Sequence, residues 1–408
     1  MKFSVLLPTR NRLEYLRYAI ESVRRQDYVN WEVVVSDNDS QDDIAGYVRS
    51  LGDDRIRYVR TDRLIPVTEN WNNALHHSEG DYVVMLGDDD GLLPGYFSTL
   101  EQSFTAHQDP DFVYVSAYFF AYRGAVQDEP EGFLRRDRNQ LLNRDGPYWL
   151  DLQTAQRITR GYLDFRMPVA SNMQFSVISR RMIDELSQDG PFFRSPFPDF
   201  YATPLLFHRC ERVLICPMPL VIVGITPKSY GAFHFSNRAS EGTQFLGNAQ
   251  QIGEASAVRS LMLPGTAYYD SWLLAMEALR QTCTDRADLR PNYRRYRFLQ
   301  IIHGYKACYF DRTLLSIEID ALRAKMTFIE TLSYGSILPV LFTLLRAIPN
   351  NARARIVARL RRSIGQHAIP KPAQELPLYA NLLEVYEAFD RGSAGGHQRA
   401  PLAPAVSQ

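Results

Sequence analysis

Residues 82–91 read Tyr82-Val83-Val84-Met85-Leu86-Gly87-Asp88-Asp89-Asp90-Gly91, an apolar run closed by three consecutive carboxylates. Adjacent negative charges repel one another, so a strand has no reason of its own to end in three of them. A divalent cation carrying phosphates supplies one. Mg²⁺ and Mn²⁺ take oxygen ligands and are commonly held by one or two carboxylates together with substrate phosphates. The flanking glycines let the backbone approach a ligand closely. The stretch therefore reads as a metal–diphosphate site at a strand end, or as an acidic solvated turn. The remainder of the chain bears on which.

Around this stretch, the first 125 residues alternate strand and helix patterns. Residues 3–7, 32–36, 56–59, 82–86 and 112–120 read as strands. Helices are expected over 11–23, 42–51, 68–77 and 95–107, with Asn11 capping the first and Glu14 completing its capping box, and Thr68 capping the third. Leu13, Leu16, Ile20 and Val23 share one helical face. Near-continuous apolar strands separated by helices predict an α/β fold, a mostly parallel sheet covered on both faces. In such sheets ligands bind at the carboxyl ends of the strands. Pro8-Thr9-Arg10-Asn11, Ser36-Asp37-Asn38-Asp39-Ser40 and the acidic triplet all fall there. Solvated turns would scatter such clusters between both ends.

Composition narrows the function. The 408 residues are 45% apolar, and Lys+Arg balance Asp+Glu at 46 each, so no global charge points to nucleic acid. Cys210, Cys216, Cys283 and Cys308 form no CxxC pair and no zinc spacing, which fits a reduced cytoplasmic chain. No signal peptide is expected, and no stretch reads as the ~20 apolar residues that span a bilayer.

Further along, residues 126–170 are polar, Arg-rich and irregular. Residues 172–179 read as a strand, 182–186 and 199–208 as helices, and 213–225 as a strand. Beyond about residue 240 the pattern is helical, with a single helix expected over 314–332. Residues 351–365 hold five arginines and no acid. On a helix Arg355, Arg359 and Arg362 share a face, a pattern suited to an anionic membrane surface or to a docked bundle. Residues 390–408 read as a disordered tail.

The motifs SVLLPTRNR (4–12), VVVSDNDS (33–40) and GDYVVMLGDDDGLLP (80–94) together resemble the inverting glycosyltransferases of family 2, on the GT-A fold. SNMQFSVISRRMIDEL (171–186) and PFPDFYATPLLF (196–207) resemble that family's acceptor-side strand and helix and its base-bearing helix start. The resemblance covers about residues 1–235. It implies a three-layer α/β/α sandwich with a mixed central sheet and a C-terminal helical extension. The implied boundaries are a catalytic domain at 1–238, divided near 110 into nucleotide and acceptor halves, a helical region at 239–389 and the tail.

Carried over by residue, the resemblance implies that Pro8, Thr9, Arg10 and Asn11 line a nucleotide pocket. Asp37 then meets the base or ribose, with Asn38 beside it, and Asn72 lies near the donor. Asp88, Asp89 and Asp90 form the metal motif for Mn²⁺ or Mg²⁺. Registering on Pro94 favours Asp89 as ligand and puts Asp88 nearer the ribose, whereas a plain Asp-x-Asp reading selects Asp88 and Asp90. Asp199 falls at the general base. His234 is a further candidate metal ligand, and Lys228 and Ser229 a phosphate clamp. The implied partners are a nucleoside-diphosphate sugar, UDP-linked by preference, and a glycan or lipid-linked acceptor, in bacterial surface polysaccharide or glycolipid assembly. The implied location is cytoplasmic or peripheral on the inner face of the plasma membrane. A sugar nucleotidyltransferase shares the fold and metal need, but wants a Gly-rich, Lys-bearing loop after strand one. A non-catalytic sugar-binding module is the other alternative.

Overall fold

The computed structural model describes residues 1–126, 129–194, 197–229, 258, 260–265, 267–286, 288–312, 316–348 and 378–392. His234 and the arginine-rich 351–365 lie outside the described residues, as does all of the expected tail beyond residue 392.

Strands β1 (Phe3–Thr9), β2 (Trp31–Asp37), β3 (Ile56–Arg60) and β4 (Tyr82–Met85) alternate with helices α1 (Leu13–Arg24), α2 (Ile44–Ser50) and α3 (Val67–His76). Next come β5 (Gly91–Leu92), α4 (Tyr96–His107), β6 (Phe112–Ala121), β7 (Phe133–Arg136), β8 (Tyr148–Trp149) and α5 (Leu152–Leu163). β9 (Ser176–Ser179), α6 (Arg180–Leu186), α7 (Pro198–Arg209) and β10 (Val213–Ile225) complete the sheet. Its order is β3-β2-β1-β4-β9-β6-β10-β5, with β7 beside β6 and β8 beside β10. β1, β2, β3 and β4 run parallel, so the polar clusters after β1, β2 and β4 do meet on one rim. β9 runs antiparallel to both β4 and β6, which makes the sheet mixed. β1, β2, β4 and β6 are buried almost throughout, as a sheet covered on both faces requires.

Several local expectations change. Asn11 does not cap α1; it takes the left-handed conformation (φ 53°), and its side-chain oxygen accepts from Gln41 N at 2.7 Å. The cap comes from the next loop, where Asp42 Oδ2 accepts from Leu13 N at 3.0 Å. Thr68 is buried inside α3, which starts after Pro66. The stretch 126–170 is less irregular than its polarity suggested. It contributes two short strands and α5, whose Ala155, Ile158, Thr159, Tyr162 and Leu163 recur at helical spacing on the buried face.

Beyond β10, helix Ala267–Thr282 packs on α7, and helix Tyr293–Lys306 packs on that helix in turn. The helix expected over 314–332 is two. Ser316–Lys325 ends, and Thr327 starts a new helix through a capping box with Glu330. That helix continues over Phe328–Ala347 for 20 residues and is long and apolar enough to cross a bilayer, contrary to the expectation that no such stretch exists. Its scattered Ser, Thr and Glu interrupt the apolar run residue by residue but not over the whole length.

The helix Leu382–Asp390 returns to the front of the chain. Leu382 and Val385 pack with Leu93, Tyr118 and Tyr122, and Tyr386 donates its hydroxyl to Arg25 O at 2.8 Å. A Cβ at Gly91 would stand 2.4 Å from Leu382 Cδ2, so the residue that follows the acidic triplet is pinned by this distant helix. Leu382→Ala is expected to lower unfolding free energy by about 2–5 kcal/mol, the usual cost of emptying a buried leucine site, measured by denaturant titration.

Candidate active site

Parallel register sets Thr9 beside Asp37 and Leu6 beside Met85, so the loops after β1, β2 and β4 come together in one region. In it, Arg12 binds the first two aspartates. Its Nη1 lies 2.7 Å from Asp88 Oδ1 and its Nη2 2.6 Å from Asp89 Oδ2. Thr9 Oγ1 donates to Asp88 Oδ2 at 2.8 Å. Ser229 Oγ donates to Asp89 Oδ2 at 2.6 Å, and Thr226 Oγ1 to the same oxygen at 3.2 Å. Burial pushes the Asp88 carboxyl up to about 6, against the pull of Arg12. Burial also opposes the Arg12 charge, but Asp88 and Asp89 outweigh it and hold the guanidinium protonated.

Asp90 has a different role from its neighbours. Its Oδ2 accepts from Gly87 N at 2.9 Å and from the Gln174 amide, and its Oδ1 accepts from Gly224 N at 2.7 Å. Both oxygens are thus committed to protein donors, and burial and Asp89 raise its pKa well above the ordinary carboxylate range. Asp90 braces the turn through these donors, whereas Asp88 and Asp89 are held together by the Arg12 guanidinium. The brace requires close approach: a Cβ at Gly224 would lie 1.8 Å from Asp89 O, and one at Gly87 2.4 Å from Asp90 Oδ2.

Asp199 sits in the first turn of α7, after Pro198, and is only partly buried by surface exposure. Its Oδ1 accepts from Met173 N at 3.1 Å. Desolvation nonetheless pushes its carboxyl up to about 7, only partly offset by that hydrogen bond. Met173 and Gln174 share the single 3₁₀ turn Met173–Phe175. Adjacent residues of one turn therefore tie Asp199 on one side and the acidic triplet on the other.

The nucleotide-side candidates divide. Asp37 is fully buried, its Oδ1 accepting from Ser40 N at 2.9 Å and its Oδ2 from Tyr58 OH at 2.7 Å and Arg60 Nη1 at 3.3 Å. Asn38 holds both backbone groups of Ile65. Asn72, expected near the donor, instead clamps Phe193 through its nitrogen at 2.8 Å and its oxygen at 3.1 Å. That contact joins α3 to the segment leading toward Asp199. Pro8 is half-buried at the strand end and Arg10 exposed at the rim. Lys228 pairs with exposed Glu14 at 3.6 Å. Arg12, Gln174, Gly224 and Thr226 were not singled out from sequence as site residues. Arg12 alone carried a signal, as a cation in the loop after strand one facing an acidic loop after strand four.

The donor set suits a hard divalent ion. Asp88 and Asp89 already share one cation, the Arg12 guanidinium, and present oxygen ligands only. Among the described residues no three His, Cys, Asp or Glu side chains surround a single metal position, so such an ion would draw further oxygens from a phosphate ligand.

A model of glycosyl transferase family 2 matches residues 4–154. The GalNAc(5)-diNAcBac-PP-undecaprenol beta-1,3-glucosyltransferase of Campylobacter jejuni is 42% identical over 104 residues, 25% of this chain and 34% of that protein. The putative colanic acid biosynthesis glycosyl transferase WcaA of Escherichia coli is 33% identical over 131 residues, 31% of this chain and 46% of that protein. The matches thus span between a third and a half of these relatives. The crystal structure of S. aureus TarS 1-349 with UDP-GlcNAc covers 82% of this chain and 92% of that chain at 16% identity and a TM-score of 0.45. The matched segment carries β1 to β8 of the sheet with both polar loops and the acidic triplet, and over these residues the chain is similar to glycosyl transferase family 2.

Proposed function

We propose that the chain is a divalent-metal-dependent, inverting glycosyltransferase that moves a sugar from a nucleoside diphosphate, UDP by preference, to a hydroxyl of a glycan or lipid-linked acceptor. Bacterial surface polysaccharide or glycolipid assembly is the proposed setting, supported by the undecaprenol-linked and colanic acid functions in the relatives' names. The observation that carries the reading is the single turn at Met173–Phe175 that holds a carboxyl raised to about 7 beside a rim carrying two paired carboxylates.

The proposed division of labour assigns each group one task. Asp199 takes the proton of the acceptor hydroxyl as its oxygen attacks the anomeric carbon. The bond from that carbon to the diphosphate oxygen breaks, its electron pair leaves with the nucleotide, and attack from the opposite face inverts the centre. A carboxyl near 7 is better matched to that proton than an ordinary aspartate. Asp89 and Asp88 would hold Mn²⁺ or Mg²⁺, and the ion, when bound, stabilises negative charge on the leaving diphosphate. Thr226 and Ser229 orient Asp89, while Asp90, braced by Gln174 and Gly224, sets the turn.

Incubation with Mn²⁺ and a panel of nucleotide sugars, with and without acceptor glycans, tests this. Release of UDP or GDP only with acceptor is the expected result, whereas pyrophosphate formation would mark a nucleotidyltransferase. Asp89→Ala is expected to weaken Mn²⁺-dependent UDP binding roughly 100-fold, since even partners of metal ligands cost 10–100-fold. Calorimetry with and without Mn²⁺ checks this, and equal affinities would exclude the metal site.

A further inference from the structure

The helix Phe328–Ala347 displays apolar side chains that nothing among the described residues covers. Phe328 is 82% exposed, Ile329 72%, Leu332 68%, Ile337 61%, Val340 59% and Leu344 61%. Exposed apolar side chains are ordinary when scattered, but contiguous patches mark interaction sites. At about 100° per residue, Ile337, Val340, Leu341 and Leu344 fall within a single stripe. Leu338, Phe342 and Leu345 fall on another, buried against Leu263, Ile301 and Tyr305. One face thus holds the protein and the other is open among the described residues.

We propose that this open stripe docks on the surface of an anionic lipid bilayer, with the helix lying along it. Two observations select that occupant and that orientation. The helix ends with Arg346 in its last turn, and the chain that follows places Arg353, Arg355, Arg359, Arg361 and Arg362 within residues 351–365, without an acid. Clustered cations beside an apolar helix complement anionic headgroups. The orientation follows from the buried face. Leu338, Phe342 and Leu345, with the Arg297–Glu330 ion pair at 2.7 Å, tether the helix along its length to the protein. A helix so held lies on a membrane and does not cross it. The inference does not depend on the sugar chemistry.

Flotation of the full chain with vesicles tests it. The wild type is expected to float with vesicles containing phosphatidylglycerol and to remain below with pure phosphatidylcholine, the binding weakening as salt is raised. Val340→Glu with Leu344→Glu should lower partitioning by about tenfold or more, because both carboxylates would have to enter the acyl boundary. Both positions are exposed, so an unchanged melting curve is expected and separates lost docking from lost folding. Arg355→Gln with Arg359→Gln should reduce the preference for anionic vesicles while leaving the fold intact. No flotation of the wild type would overturn the proposal. So would a lipid-free dimer, seen by sedimentation velocity, that the double glutamate variant dissociates.

Discussion

Asp199→Asn will bind donor as the wild type does and transfer sugar roughly 10²–10⁴-fold more slowly, the usual contribution of a positioned general base. Asparagine keeps an oxygen for the Met173 N–H, so the local geometry survives while the proton acceptor is lost. As the proposed base, Asp199 works ionised in the wild type. With its carboxyl raised to about 7, kcat/KM should fall about tenfold per pH unit below that point and level off above it. Stability should move the other way. The unfolded chain releases the Asp199 proton near its ordinary value of 3.8, the folded chain near 7, so between these the folded state binds more protons. Stability contributed by this site therefore falls as pH rises through that window. Asp199→Asn should accordingly melt above the wild type at pH 8 and match it at pH 4. A variant that transfers at the wild-type rate would remove Asp199 from the chemistry, whatever its melting behaviour.

Arg12→Met will make the acidic turn depend on a cation from solution. Arg12 is buried between Asp88 and Asp89, and taking one partner from a buried ion pair costs about 3–5 kcal/mol, because the remaining charges are left uncompensated. Asp90, buried beside them, adds to the repulsion. The loss should be largest at high pH, where the Asp88 and Asp90 carboxyls are pressed to ionise, and should shrink as acid protonates them. Mn²⁺ alone should raise the melting temperature of the variant more than that of the wild type, since the guanidinium no longer competes for the same oxygens. Equal stabilisation of both proteins by Mn²⁺ would show that Arg12 and the ion occupy different places.

What was legible in the chain is what short-range physics encodes. The apolar strands, the helices between them and the polar loops at one rim follow from periodicity and from the parallel connections that β-α units impose. Asp199 was singled out by resemblance, and its place at a helix start after Pro198 was legible in the chain. Less was legible where one residue had alternative partners. Asn11 has the chemistry of a cap, but the loop after β2 offers it Gln41 and gives α1 Asp42 instead. Asn72 has the chemistry of a donor contact, and packing hands it Phe193. The helix Phe328–Ala347 went unnoticed as one element because its polar residues interrupt any count taken along the chain, yet fall around a cylinder once it is wound.

The acidic triplet divides the two kinds of information most clearly. Sequence alone determined that three carboxylates end a buried strand at the ligand-binding rim, since composition and alternation are local properties. Only tertiary structure decided that Asp88 and Asp89 turn to Arg12 while Asp90 turns to Gly224 and Gln174. Those partners lie 77 to 134 residues from the carboxylates they bind in all but the nearest case, and 76 in that one, by difference of residue numbers. Burial makes each carboxylate take whatever donor the fold brings to it, because an unpaired charge away from water is too costly to leave.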